Sequence, residues 1–103
     1  SGDKLMGLTE EAYQEWKTLE EEILSALATA VQKGEPPAGV EGARIALLHR
    51  RWLDFTLPSC TPQIQMGLAE MYVADQRFTD YYDRETPGCA RFLREAVAAM
   101  VGE

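Results

Sequence analysis

"TPQIQMGLAEMYVADQRFTDYYDRETPG", residues 61–88, opens and closes on a threonine–proline step. A threonine hydroxyl can accept from the unpaired N–H groups of a first helical turn. Proline at the first helical position presets φ and gives up an N–H that has no helical partner anyway. The spacing therefore predicts a helix over 62–74, then a short helix capped by Asp75. The same device at Thr86-Pro87 predicts a last helix from Pro87 to Val101. Cys89, Phe92, Leu93, Ala96 and Met100 share one face of it.

Working outward, Thr9 can cap a helix whose first turn carries Glu10 and Glu11, at the positive end of the dipole. Tyr13, Trp16, Leu19, Ile23, Leu27 and Ala30 recur at three- and four-residue steps, and the back of that helix, "EEE" at 20–22 included, reads as a solvated acidic face. Gly34 ends it, and "GEPPAG" follows as a stiff linker. The next helix is expected from Glu41 to Thr56, with Ile45, Leu48, Trp52 and Phe55 inward and Pro58 barring continuation. No segment alternates with period two over strand length. The expectation is an all-α domain, a compact bundle of about five helices. It spans residues 8–103, behind a remnant or disordered linker at 1–7. The part up to about Gly39 has the thinnest claim on the core.

The chain has 103 residues and a net charge of −7, from ten basic and seventeen acidic side chains. That balance repels a polyanion, and "HRR" at 49–51 is too thin a basic patch to reverse it. Two cysteines make no disulfide framework, and no apolar run is long enough to span a membrane. The expected compartment is the cytoplasm.

Residues with reactive chemistry are few. His49, the single histidine, has no metal-ligand set at suitable spacing and reads as a polar edge residue beside two arginines. Cys60 precedes a helix start, where free N–H groups favour a thiolate, while Cys89 reads as core. A Cys60–His49 pair lacks an orienting third group, so no catalytic residue, metal or cofactor is expected. Among the aromatic residues, Trp16 and Phe92 are assigned to the core. Tyr81 and Tyr82 are adjacent, so they diverge by about 100° on a helix and cannot both face inward. Met66 and Met71 are adaptable fillers, and Gly67 costs about 1 kcal/mol relative to alanine, which close approach of a helix or ligand would justify. The expected cleft has Trp52 and Phe55 on one wall, Gln63, Met66, Gly67 and Met71 along the floor, and Tyr81 or Tyr82 at the rim.

Residues 68–97, "LAEMYVADQRFTDYYDRETPGCARFLREAV", resemble the TipAS antibiotic-recognition domain, the C-terminal effector half of a group of MerR-type transcriptional activators. Leu68, Glu70, Met71, Tyr72, Val73, Asp75, Arg77, Phe78, Thr79, Pro87 and Gly88 carry the likeness, with "EGA" at 41–43 and His49-Arg50 upstream. The resemblance implies a globin-like helical fold without haem. It also implies a cleft between helices for thiopeptide-like antibiotics or other small-molecule, multidrug-type ligands. DNA binding and homodimerisation are implied for an N-terminal winged helix and coiled coil outside these residues, which would by themselves be monomeric. The founding member has two cysteines before the motif and traps dehydroamino-acid ligands through a thiol. Here Cys60 matches the first and Gly67 stands in place of the second, so non-covalent recognition is expected, with Cys60 in a secondary role. The rival from another class is a helical interaction module that docks a partner helix on the same aromatic groove.

Overall fold

The computed structural model describes residues 7–102. Among them five helices follow one another: α1 (Glu10–Lys33), α2 (Val40–Asp54), α3 (Pro62–Ala74), α4 (Gln76–Tyr82) and α5 (Cys89–Val101). No strand occurs among the described residues. The linker expected at 1–7 lies, apart from Gly7, outside them.

Local chemistry sets most of the ends. Thr9 Oγ1 accepts from Ala12 N at 3.1 Å and Thr61 Oγ1 from Ile64 N at 3.1 Å, so both threonine caps form with Pro62 in the first turn. Asp75 is extended (φ −104°, ψ 116°) and breaks the chain between α3 and α4. Its carboxylate accepts from Arg77 N at 3.0 Å and caps α4. α2 starts one residue before and stops two residues before the expected bounds, and Phe55, Thr56 and Leu57 finish it as tight turns onto Trp52 and Leu53.

The second threonine–proline step behaves differently from the first. α5 begins at Cys89, not at Pro87, and its N-terminal flank is Gly88 at φ +99°, a left-handed conformation that only glycine adopts without strain. Thr86 caps nothing here: its Oγ1 accepts from Gln32 Nε2 of α1 at 2.7 Å. The helix start is satisfied instead by Asp83, whose carboxylate accepts from Gly88 N at 3.2 Å and Ala90 N at 2.8 Å. Asp83→Ala is therefore expected to cost about 1–2 kcal/mol in urea unfolding, whereas Thr86→Val, which leaves the start of α5 intact, should cost clearly less.

α5 lies at the centre, packed by the other four helices. Alanines at several crossings, Ala30, Ala46, Ala69, Ala90 and Ala96, are essentially inaccessible and let backbones approach closely. Leu27, Ile45, Leu93 and Val97 fill the space between them. α1 contributes more than its acidic back suggests: Leu19, Ile23, Leu24, Leu27 and Ala30 all belong to the core. Its first two turns bury nothing fully, and Trp16, assigned to the core from sequence, is half-buried outside the core cluster. Phe92 and Cys89 are buried as expected.

Candidate functional site: an aromatic hollow and the polar network behind it

A hollow of about 340 Å³ opens where α4 faces α1 and α2. Five aromatic rings line it, Trp52 from α2, Tyr72 from α3, and Phe78, Tyr81 and Tyr82 from α4, with Glu20 and Arg77 as its charged members. The rings brace one another. Tyr72 lies 4.6 Å from Tyr82 and 5.7 Å from Phe78, and Tyr81 meets Tyr82 edge-on at 4.9 Å. Adjacent tyrosines diverge as helical geometry requires: Tyr82 is buried in the core and Tyr81 half-buried.

Polar contacts fix the rim. The Tyr81 hydroxyl donates to Glu20 of α1 in a short hydrogen bond, and Glu20 also pairs with Lys17 at 3.1 Å. Burial, and then the Glu20 carboxylate, push the Tyr81 hydroxyl well above the ordinary tyrosine range. Tyr82 is shifted the same way, by burial first and Tyr72 second, so both phenols stay protonated. Glu20, placed by its sequence on the solvated acidic back, thus faces the hollow. Arg77 is gripped by Asp75 through Nε (3.1 Å) and Nη2 (2.7 Å), and that contact holds the Asp75 carboxyl below its usual range.

Behind the rings lies a network that corrects the reading of His49 as an edge residue. His49 and Gln65 are both fully buried (0% exposed). Arg50 Nε donates to Gln65 Oε1 at 2.7 Å, and Gln65 Nε2 donates to the Ala46 carbonyl at 3.0 Å. Those two contacts fix which end of the amide is which. Gln65 Nε2 therefore also donates to His49 Nδ1, 2.9 Å away. Nδ1 being an acceptor, the neutral imidazole carries its proton on Nε2 and donates to the Tyr72 hydroxyl at 3.1 Å. A protonated imidazole would point an N–H at the Gln65 amide. Burial first, and Arg50 second, depress its pKa to about 4.

The residues singled out in the sequence divide among several places. Trp52, Tyr81 and Tyr82 meet in the hollow. Phe55 lines a different one, of about 310 Å³, with Thr18, Leu19 and Arg51. Met66 is core and Met71 packs against it. Gln63 and Gly67 lie on the exposed face of α3, because Gln65, Met66, Ala69 and Tyr72 turn inward. Nothing comes within 4 Å of a Cβ built on Gly67, so no close approach explains that glycine. Cys60 sits half-buried in the loop before α3, and its thiol is raised, not lowered, chiefly by burial; the thiolate expected from a helix start is disfavoured. Cys89 is pushed up to about 11 by burial. No group of His, Cys, Asp and Glu that could hold a metal ion occurs among the described residues.

Tyr72, Phe78, Arg77 and Glu20 also line the hollow, although the sequence reading did not place them in the cleft. For Tyr72, Arg77 and Phe78 the signal lay in the quoted stretch, where the Asp75 break turns α4 back against α3; Glu20, on α1, had none.

The profile of the TipAS antibiotic-recognition domain matches residues 1–100. The chain belongs to the TipAS family. HTH-type transcriptional activator TipA of Streptomyces coelicolor, and its namesake in Streptomyces lividans, are each 33% identical to this TipAS domain over 100 residues. The match covers 96% of this chain and 39% of either relative. HTH-type transcriptional activator mta of Bacillus subtilis is 34% identical over 86 residues, 81% of this chain and 33% of its own length. The TipAS domain described here thus spans about two-fifths or less of the curated relatives it matches. No solved structure is a significant match. No helix among the described residues is long and apolar enough to cross a membrane.

Proposed function

We propose that the aromatic hollow is an effector site. In this reading the domain senses bulky, partly apolar antibiotics or drug-like molecules for a transcriptional activator. It passes their presence to a separate DNA-binding, dimerising part of the protein. One observation carries the proposal: five aromatic rings surround about 340 Å³, with charge only at Glu20 and Arg77. That volume lies at the small end of ligand pockets, and such a wall stacks flat or apolar surface while a few polar groups orient the guest. The family's antibiotic recognition and the relatives' role as transcriptional activators support the same reading. The net charge of −7 suits a part that leaves DNA to another domain.

Binding is non-covalent in this account. Cys60 does not line the hollow, and burial keeps its thiol protonated.

Calorimetric titration with a thiopeptide antibiotic and with unrelated apolar drugs tests the proposal. Trp52→Ala and Phe78→Ala are expected to weaken binding by about 2 kcal/mol each, while Gln63→Ala on the exposed face of α3 leaves it unchanged. A folded Trp52→Ala domain that binds every ligand as well as the parent would place the site elsewhere.

A further inference from the structure

Of the residues lining the hollow, only Glu20 and Arg77 carry charge, and the two are placed differently. Arg77 is gripped by the Asp75 carboxylate, and its side chain is 84% exposed, so its own counter-ion and water screen it from the hollow. Glu20 is covered, with its side chain 19% exposed. Its Oε2 accepts from the Tyr81 hydroxyl and its Oε1 from Lys17 Nζ at 3.1 Å. A carboxylate has room for about four hydrogen bonds, so this one can take a further donor without releasing Tyr81.

The cations nearby stay outside. Lys17 does not line the hollow; its side chain is 43% exposed, and such a pair contributes little to stability, so its ammonium gives way to a competitor without much loss. Arg84 sits over the Tyr81 ring, its Cζ 5.2 Å from the centroid, and does not line the hollow either. What faces the interior is therefore apolar ring surface, neutral tyrosine hydroxyls and one covered carboxylate.

We propose that the hollow selects hydrophobic cations, molecules that join an ammonium group to an aromatic body, with Glu20 as the residue that reads the charge. The inference rests on the aromatic hollow being the ligand site and names the class of ligand it takes. The rings accept the apolar body, and the ammonium donates to the Glu20 carboxylate in place of Lys17. A charge-assisted hydrogen bond in a mostly covered setting is stronger than the exposed pair it replaces. The net charge of −7 adds a field that draws cations toward the domain and repels anions.

Three probes share one ring system and differ in charge: 2-naphthylmethylammonium, 2-naphthylmethanol and 2-naphthylacetate. Each is titrated into the ¹⁵N-labelled domain, following the amides of Phe78 and Tyr82. The ammonium is expected to bind about tenfold tighter than the alcohol, and the carboxylate more weakly than either. Glu20→Gln, which keeps an acceptor for Tyr81, is expected to cut the ammonium-to-alcohol ratio to about two. Lys17→Ala removes the competing cation and should raise that ratio about threefold. Equal affinity for ammonium and alcohol overturns the proposal, as does tightest binding of the carboxylate, which would make Arg77 the selecting charge. A ratio retained in folded Glu20→Gln overturns it as well; should that variant fail to fold, an unchanged ratio in Lys17→Ala does so in its place. In each of these cases the hollow stands as a ligand site if Phe78 and Tyr82 respond. If all three probes leave both amides unmoved, the site and its selectivity fall together.

Discussion

Gly42→Ala is expected to destabilise the domain by about 3 kcal/mol or more, although alanine is the better helix former. Gly42 sits buried in the first turn of α2, directly under the loop that precedes it. A Cβ there would stand 1.8 Å from the Pro37 carbonyl oxygen and 2.6 Å from its carbon. Both are backbone atoms, so no rotamer change relieves the clash. The loop has to lift, which strains the turn closed by Gly39 N and the Pro36 carbonyl at 2.9 Å. Gly67→Ala provides the contrast. It is a helical glycine with open space around it, so alanine should stabilise by about 1 kcal/mol through backbone entropy and helix propensity. Urea unfolding of the two variants checks both signs. A neutral Gly42→Ala would mean that the loop over α2 is not held where the structure has it.

Acid is expected to remove on the order of 3 kcal/mol of stability through His49 alone, between pH 6.5 and about 4. The sign follows from burial. The folded state holds the imidazole neutral against desolvation and Arg50, while the unfolded chain protonates it near pH 6.5. Below that pH the unfolded state binds more protons, so stability falls as the pH falls and levels off once the folded pKa is passed. Above pH 6.5 the histidine adds no pH dependence. Because the chain has one histidine, its imidazole C–H resonance reads this directly. No inflection should occur above pH 5, and titration near 6.5 would show that the Gln65–His49–Tyr72 chain does not exist as described.

Much of the fold was legible because the helix ends are written in local chemistry. Thr9, Gly34, Thr61-Pro62 and Asp75 each act within four residues of themselves, and each did so where the sequence placed it. α5 starts two residues after the expected Pro87 because its cap comes from Asp83, across a turn. The nearby threonine is drawn off by Gln32 of another helix. The wall of the hollow was only partly legible, and α3 shows why. That helix is apolar on nearly every side, with Ile64 and Val73 exposed while polar Gln65 is wholly buried. Hydrophobic periodicity therefore gives no inward direction, and the floor drawn through Gln63 and Gly67 ran along its outer face. Gln65 goes inward because Arg50, Ala46 and His49 satisfy it, and tertiary partners of that kind leave no trace at sequence spacing. Trp52, Tyr81 and Tyr82 do line one hollow, and what pointed to them, ring chemistry and the divergence of adjacent helical residues, is local. Glu20 was hidden among three glutamates, of which only it turns toward Tyr81.

Ligands are expected to enter between α1, α2 and α4, at the aromatic hollow. The most direct test is NMR of the isotope-labelled domain with a thiopeptide antibiotic and several unrelated apolar drugs, mapping ring and amide shifts on every helix. The predicted result is that each ligand that binds perturbs Trp52, Phe78, Tyr81 and Tyr82 first and leaves Gln63 and Gly67 at their free positions. Shifts centred on Gln63 and Gly67, or a full panel that moves none of the five rings, would contradict it.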